Sequence, residues 1–251
     1  MDKYRTRITR TSGMNPWRAG CGESRTSGAE GGPGRPTGGD SGTAPRSDPY
    51  TKLNGPLRGV YFDCYVIIDI FSRYVVGWTV EASEDSEIAK ALIADAIARQ
   101  GVGRDQLTLH ADRGTSMTSK TVAQLLEDLG VTRTHSRPHV SDDNPYIEAH
   151  FKTLKYCPAW PGHFDTVEDA RAWCELFFDY YNHVHRHRAL GLHSPASVHY
   201  GTATEIRAQR AVTLDAAYAA NPSRFAGRPT PPKLPTVAWI NEPQEALIQN
   251  V

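Results

Sequence analysis

No apolar run in this 251-residue chain approaches the roughly 18 residues that a membrane-crossing helix needs, so no membrane span is expected. The first thirty residues lack an apolar stretch behind a positive start, so a secretory leader is not expected either. Cysteine is scarce: Cys21, Cys64, Cys157 and Cys174 include no Cys-x-x-Cys pair, which argues against structural zinc and against a disulfide framework. Such usage fits a reducing, cytoplasmic setting. An excess of one charge is missing too, because 28 Lys and Arg balance 28 Asp and Glu. A strongly basic nucleic-acid binder is therefore not visible in the total, although local patches can hide in it. Apolar residues reach only 39%, against 21 Gly and 17 Pro, which is lean for a chain folded from end to end.

The lean part is at the start. Residues 1–46 hold 10 of the 21 glycines and carry 8 Lys and Arg against 4 Asp and Glu. From Gly28 to Gly42 no aliphatic residue is larger than Ala29, so the segment has too little to bury to offset its ordering entropy. It reads as a disordered basic arm. Order begins after it. Val60–Ile70 and Tyr74–Val80 read as two strands joined by a tight Ser72-Arg73 connection, hence antiparallel neighbours. Ser86–Gln100 and Ser119–Leu129 have helical apolar spacing and end at Gly101 and Gly130. Gln106–His110 and Val131–His135 are short strands. Asn144-Pro145 opens a helix to about Tyr156, and Thr166-x-x-Asp169 opens another through Tyr181, in which Trp173, Phe177 and Tyr180 are core candidates. Antiparallel strands followed by alternating strands and helices predict an α/β protein with a mixed sheet covered by helices. A last helix over 202–219 and an extended, proline-rich tail complete the chain.

Two acidic residues stand out by position. Asp112 follows the strand Gln106–His110, at a strand end where functional loops gather. Glu148 lies one turn inside the helix opened by Pro145, with 35 residues between it and Asp112. Lys152 and Lys155 follow it at i+4 and i+7, which puts two cations on the same helix face. Either they meet a phosphate backbone or they form an ordinary surface pair with Glu148. The densest basic cluster is His183, His185, Arg186, His187 and Arg188. Its His-x-His-x-His spacing leaves metal binding, DNA contact and structural hydrogen bonding open, and on a helix the three rings would not share one face.

The strings around these residues carry a resemblance. His110-Ala-Asp-Arg-Gly-Thr-Ser-Met-Thr-Ser119 and Ser141-Asp-Asp-Asn-Pro-Tyr-Ile-Glu-Ala-His-Phe-Lys-Thr-Leu-Lys155 resemble the integrase-like DDE transposases of bacterial insertion sequences, relatives of retroviral integrases. Ile68-Asp-Ile-Phe-Ser-Arg-Tyr-Val-Val-Gly-Trp78, Tyr180-Tyr-Asn-His-Val-His-Arg-His-Arg188 and His193-Ser-Pro-Ala-Ser-Val-His-Tyr-Gly201 are similar to the same family. The resemblance implies an RNase H-like core over residues 47–201, followed by a C-terminal helix and tail over 202–251. It also implies metal-dependent DNA cleavage and strand transfer. Carboxylates would hold two Mg²⁺ (or Mn²⁺) ions, because a hard cation prefers oxygen ligands. Water would be the nucleophile in cleavage and a freed 3′-hydroxyl in transfer. Double-stranded DNA, both element ends and target, would be the partner, held by a homo-oligomer at the nucleoid. Asp112 and Glu148 would be two of the catalytic metal ligands, with Arg113, Lys152, Lys155, His183, His185, Arg186 and Arg188 towards DNA.

The third ligand departs from the family pattern. The family's first catalytic Asp stands in a Trp-Asp-Ile-Thr string on the first strand. Aligned on Thr51-Lys52-Leu53, this chain has Pro49 in the Asp position and Asp48 in the Trp position. In a strand, that one-residue shift turns the carboxylate to the opposite face. Three outcomes stay open: Asp48 reaches the metal through a bulge, Asp69 substitutes for it, or the chain is an inactive copy that still folds. Residues 1–50 read as though translated from a different frame than the rest. The competing functions are a non-catalytic DNA-binding partner of an intact transposase and a nuclease limited to hydrolysis.

Overall fold

A computed structural model describes residues 50–111, 116–135 and 144–240. The expected basic arm, Asp48, Pro49, Asp112 and Arg113 lie outside the described residues. Strand β1 (Tyr50–Asn54) pairs antiparallel with β2 (Tyr61–Ile68), and β2 pairs antiparallel with β3 (Val75–Glu81). Helix α1 (Ser86–Gln100) leads to β4 (Thr108–Ala111), and α2 (Lys120–Asp128) leads to β5 (Thr132–His135). Strands β4 and β5 pair in parallel, as expected of strands joined through a crossover helix. Then come α3 (Pro145–Lys155), α4 (Val167–His183), the short α5 (Pro195–His199) and α6 (Ala203–Ala220). The class is α/β with both strand directions and flanking helices, as the sequence predicts. Helices α1 and α2 start on the side chains of Asp85 and Ser119, and α4 on a reciprocal capping box between Thr166 and Asp169.

Strand alternation sorts the core into two halves. Leu53, Phe62, Cys64, Val66 and Val80 join Ile147, Phe151 and Leu154 of α3 and Cys174, Phe177, Phe178 and Tyr181 of α4. On the other face, Tyr65 packs with Ala89 and Ile93 of α1, Ala111 of β4, and Val122 and Leu126 of α2. This second cluster spans both sets of strands. Helix α1 can come close to β3 because Gly77 has no side chain: a Cβ there would lie 3.3 Å from Ala96 and Leu92. Lys52 and Asp63, paired across the strands, form an ion pair of 3.2 Å in which the carboxylate is buried. Asn182 of α4 clasps the start of β3, accepting from the Val75 amide at 2.9 Å and donating to the Val75 carbonyl at 3.1 Å.

Beyond α6 the chain makes a short 3-10 turn at Pro222–Arg224 and then no helix or strand up to residue 240, and it is not detached. Arg228 pairs with Asp215 at 2.9 Å, and the Arg207 guanidinium donates to the Pro231 and Pro232 carbonyls. Pro231 is buried. The Lys233 carbonyl passes so close to Gly191 that a Cβ there would lie 2.7 Å from it. At the far end, the Tyr146 hydroxyl donates to the Trp239 carbonyl at 2.7 Å. The segment is a strap that runs from α6 back to the first turn of α3.

Candidate active site

Helix α3 presents its apolar face inward through Ile147, His150, Phe151 and Leu154, the i, i+3, i+4, i+7 stripe of an amphipathic helix. Pro145 occupies the first turn, where its missing N–H costs nothing, but Asn144 makes no side-chain cap bond. Glu148 is half-buried in that first turn, and Lys152 and Lys155 are exposed one and two turns below it. The negative charge at the helix start and the positive charges at its end both suit the helix dipole. Partial burial holds the Lys155 ammonium below the ordinary lysine value. The three residues expected on one face are therefore together, at the edge of the cluster that also contains Leu53 of β1.

Behind Glu148 the helix rests on an aromatic box. The His150 ring stacks on Phe178 at 5.7 Å and meets the edge of Tyr181 at 4.6 Å. Neither ring nitrogen has a hydrogen-bond partner, and burial pushes His150 down to about 3. The ring is a neutral, structural member of the core. In front, the Arg73 guanidinium lies 3.8 Å from the centroid of the Tyr146 ring. Arg73 belongs to the β2–β3 turn, where its φ is 62°, in the left-handed region. The sequence alone predicts the turn and assigns no role to Arg73, Tyr146, His150 or Trp239.

The remaining candidates separate. Asp69 sits just past β2, but its carboxylate accepts from the Ser72 hydroxyl at 2.6 Å and the Phe71 amide at 2.9 Å, and meets His199 Nδ1 at 3.1 Å. Burial alone would raise its pKa, and these bonds outweigh it and hold the carboxyl below the usual range. His199 continues to Gln100 at 2.9 Å, so Asp69 ties the hairpin to α5 and α1. His183 ends α4 in the open, 4.0 Å from Asp179. His185 leaves the helix and stacks on Tyr181 at 5.5 Å, with burial lowering its pKa. The His187 backbone pairs with that of His193, and burial pushes its ring to about 4. Arg186 and Arg188 are exposed. Among the described residues no group of three His, Cys, Asp or Glu could hold a metal. The strand β4 ends on buried Ala111, one residue before Asp112.

Two models of the family described as Integrase core domain match residues 47–141 and 129–195, together more than half of the chain. The chain belongs to the integrase core domain family. The α/β class expected from the sequence is the one that the described strands and helices form. Two curated proteins similar to the chain are named as transposases. The "Transposase for insertion sequence element IS904" of Lactococcus lactis subsp. lactis is 29% identical over 131 residues, 52% of this chain and 51% of that one. The "Probable transposase for insertion sequence element IS1353" of Shigella flexneri is 26% identical over 147 residues, 58% of this chain and 28% of that one. This chain thus spans about half the length of the first and less of the second. Among solved structures, the catalytic core domain of BIV integrase superposes with a TM-score of 0.39 at 16% identity, covering 62% of this chain and 94% of that one. No helix among the described residues is long and apolar enough to cross a membrane.

Proposed function

We propose that residues 47–201 form the catalytic core of a transposase subunit that acts on double-stranded DNA and whose strand transfer is impaired. The observation that carries the reading is Glu148, half-buried in the first turn of α3 with Lys152 and Lys155 exposed along the same flank. Asp112, directly after β4, is its proposed partner. The donor chemistry fits a hard divalent cation, because both side chains offer only oxygen and α3 adds no soft ligand beside them. A bound Mg²⁺ or Mn²⁺ would supply charge stabilisation at the attacked phosphate and at the attacking oxygen. The chain's own residues do the rest. Glu148 stands in the first turn of α3, and Lys152 and Lys155 lie along the same flank, where they can meet backbone phosphates. Arg113, His183, Arg186 and Arg188 are proposed as further DNA contacts. His185 is better explained by its stacking on Tyr181. The subunit would act in the cytoplasm, at the nucleoid, as a homo-oligomer on paired ends.

Impairment follows from strand parity. Leu53 shares a cluster with α3, whereas Lys52 reaches the buried Asp63 on the other face. By sequence parity alone, position 49 goes with Leu53 and position 48 with Lys52. Asp48 is thus one position out of step with the family's first Asp, and Pro49 stands in that place in the sequence. Asp69, which has its own partners, is not a replacement in this reading. The non-catalytic DNA-binding alternative draws its support from the same parity.

The test is a pair of measurements on the full chain. Mn²⁺ titration should give weak binding that Asp112→Asn or Glu148→Gln abolishes. Strand transfer on oligonucleotide ends should be near background and rise in Pro49→Asp. Robust transfer by the unaltered chain that survives Asp48→Asn would refute the parity reading. Mn²⁺ binding indifferent to both carboxylate changes would refute the site itself.

A further inference from the structure

The first turn of α3 has a weakness that its surroundings answer. Asn144 gives it no side-chain cap, so the turn lacks the side-chain bond that usually fixes a helix start. Tyr146, the next residue, is instead gripped from two distant parts of the chain. The Arg73 guanidinium covers its ring at 3.8 Å, and the Trp239 carbonyl accepts from its hydroxyl at 2.7 Å. Both grips are themselves anchored. The Arg73 amide donates to the Asp69 carbonyl at 2.7 Å, and its guanidinium also donates to the Ile70 carbonyl. The strap that ends at Trp239 is fastened by Arg207 and by Arg228 on the way.

We infer that Arg73 and the Trp239 carbonyl, acting through Tyr146, are the positioning elements for the turn that carries Glu148. Arg73 and Tyr146 touch no reacting atom in this scheme. They fix where the Glu148 backbone stands, two residues beyond the gripped ring. Losing a contact of this kind should shift local opening about tenfold, which at about 1.4 kcal/mol per factor of ten lies within the range of such contacts. The inference rests on the proposed metal role for what Glu148 does, but not for how its turn is held.

The test uses the full chain with Arg73→Ala, Arg73→Lys and Tyr146→Phe, reading amide exchange at residues 146–149 and Mn²⁺ affinity by water-proton relaxation. Arg73→Ala should speed exchange at 146–149 about tenfold while the core of α4 keeps its protection, and should weaken Mn²⁺ binding by a similar factor. Arg73→Lys should recover part of both, because an ammonium still sits over the ring. Tyr146→Phe, which keeps the ring and loses the bond to Trp239, should fall between. Unchanged exchange at 146–149 in Arg73→Ala would overturn the inference. So would a loss of protection throughout α4 that lysine does not repair, or Mn²⁺ binding unaffected by Arg73→Ala and by Tyr146→Phe. If the unaltered chain binds no Mn²⁺ but exchange responds as described, the grip stands and the metal role of Glu148 falls.

Discussion

His150 offers the sharpest quantitative test of the packing around α3. Its ring is buried without a partner for either nitrogen, and its pKa falls to about 3 from an ordinary 6.5. The unfolded chain therefore binds a proton at this residue at pH values where the folded chain does not. Stability rises with pH wherever the unfolded state holds more protons, so this histidine removes stability as pH falls below 6.5 and down to about 3. At about pH 4.5 the two states differ by about two pKa units of protonation free energy, or roughly 3 kcal/mol. His150→Phe deletes that term while keeping an aromatic ring against Phe178 and Tyr181. Absolute stability at neutral pH is not the readout, because a larger ring adds overpacking strain. The slope is. Urea unfolding at about pH 7 and about pH 4.5 should show the native chain losing roughly 3 kcal/mol more than the variant over that interval. His185, His187 and His193 are present in both proteins, so their own acid sensitivity cancels to first order. Equal losses would mean that His150 finds a partner or water in solution, and that the dry aromatic box behind Glu148 is wrong.

Asn182→Ala should cost about 2–4 kcal/mol in urea unfolding, because it strands both the amide and the carbonyl of Val75 where Asn182 now pairs them; a loss below about 0.5 kcal/mol would contradict the clasp. Thr166→Ala removes the reciprocal cap of α4 and should cost about 1 kcal/mol, with Thr166→Ser nearly neutral. Gly191→Ala meets two obstacles, a backbone at φ +63° and the Lys233 carbonyl 2.7 Å from the new methyl group. It should release the strap first, seen as faster proteolysis between Arg224 and Trp239 while the core unfolds at nearly the same urea concentration; a strap as resistant as before would refute the close approach.

The sequence made some elements legible because their signals are local. Gly101 in the left-handed conformation after α1, the Ser119 cap of α2 and the Thr166–Asp169 box each encode a boundary within a few residues. Strand ends moved by one or two positions, as with Val60–Ile70 against Tyr61–Ile68, because apolar content extends past the last paired residue. Helix α5 was missed: its Ser194-Pro195 start is a valid cap, but the five-residue helix is too short for periodicity to register. At the site, the i, i+4, i+7 spacing of Glu148, Lys152 and Lys155 was readable because one helix carries all three. The engagement of Asp69 by His199 was not, since 130 positions separate the partners and only tertiary folding brings them together. Nor was the Asn144 cap, which has the favoured residue type and makes no side-chain bond. The grip on Tyr146 was invisible for the same reason as the Asp69 network.

The strap also sets an order of events during synthesis. The bond from Tyr146 to Trp239 spans 93 positions, and a ribosome delivers Trp239 long after α3 has emerged. A nascent chain can collapse both halves of its core before the last hold on the Glu148 turn exists, since the core clusters draw on nothing beyond Val184. Any product that stops in the proline-rich stretch before Trp239 would then resemble the complete protein in its core and differ at the turn that carries Glu148.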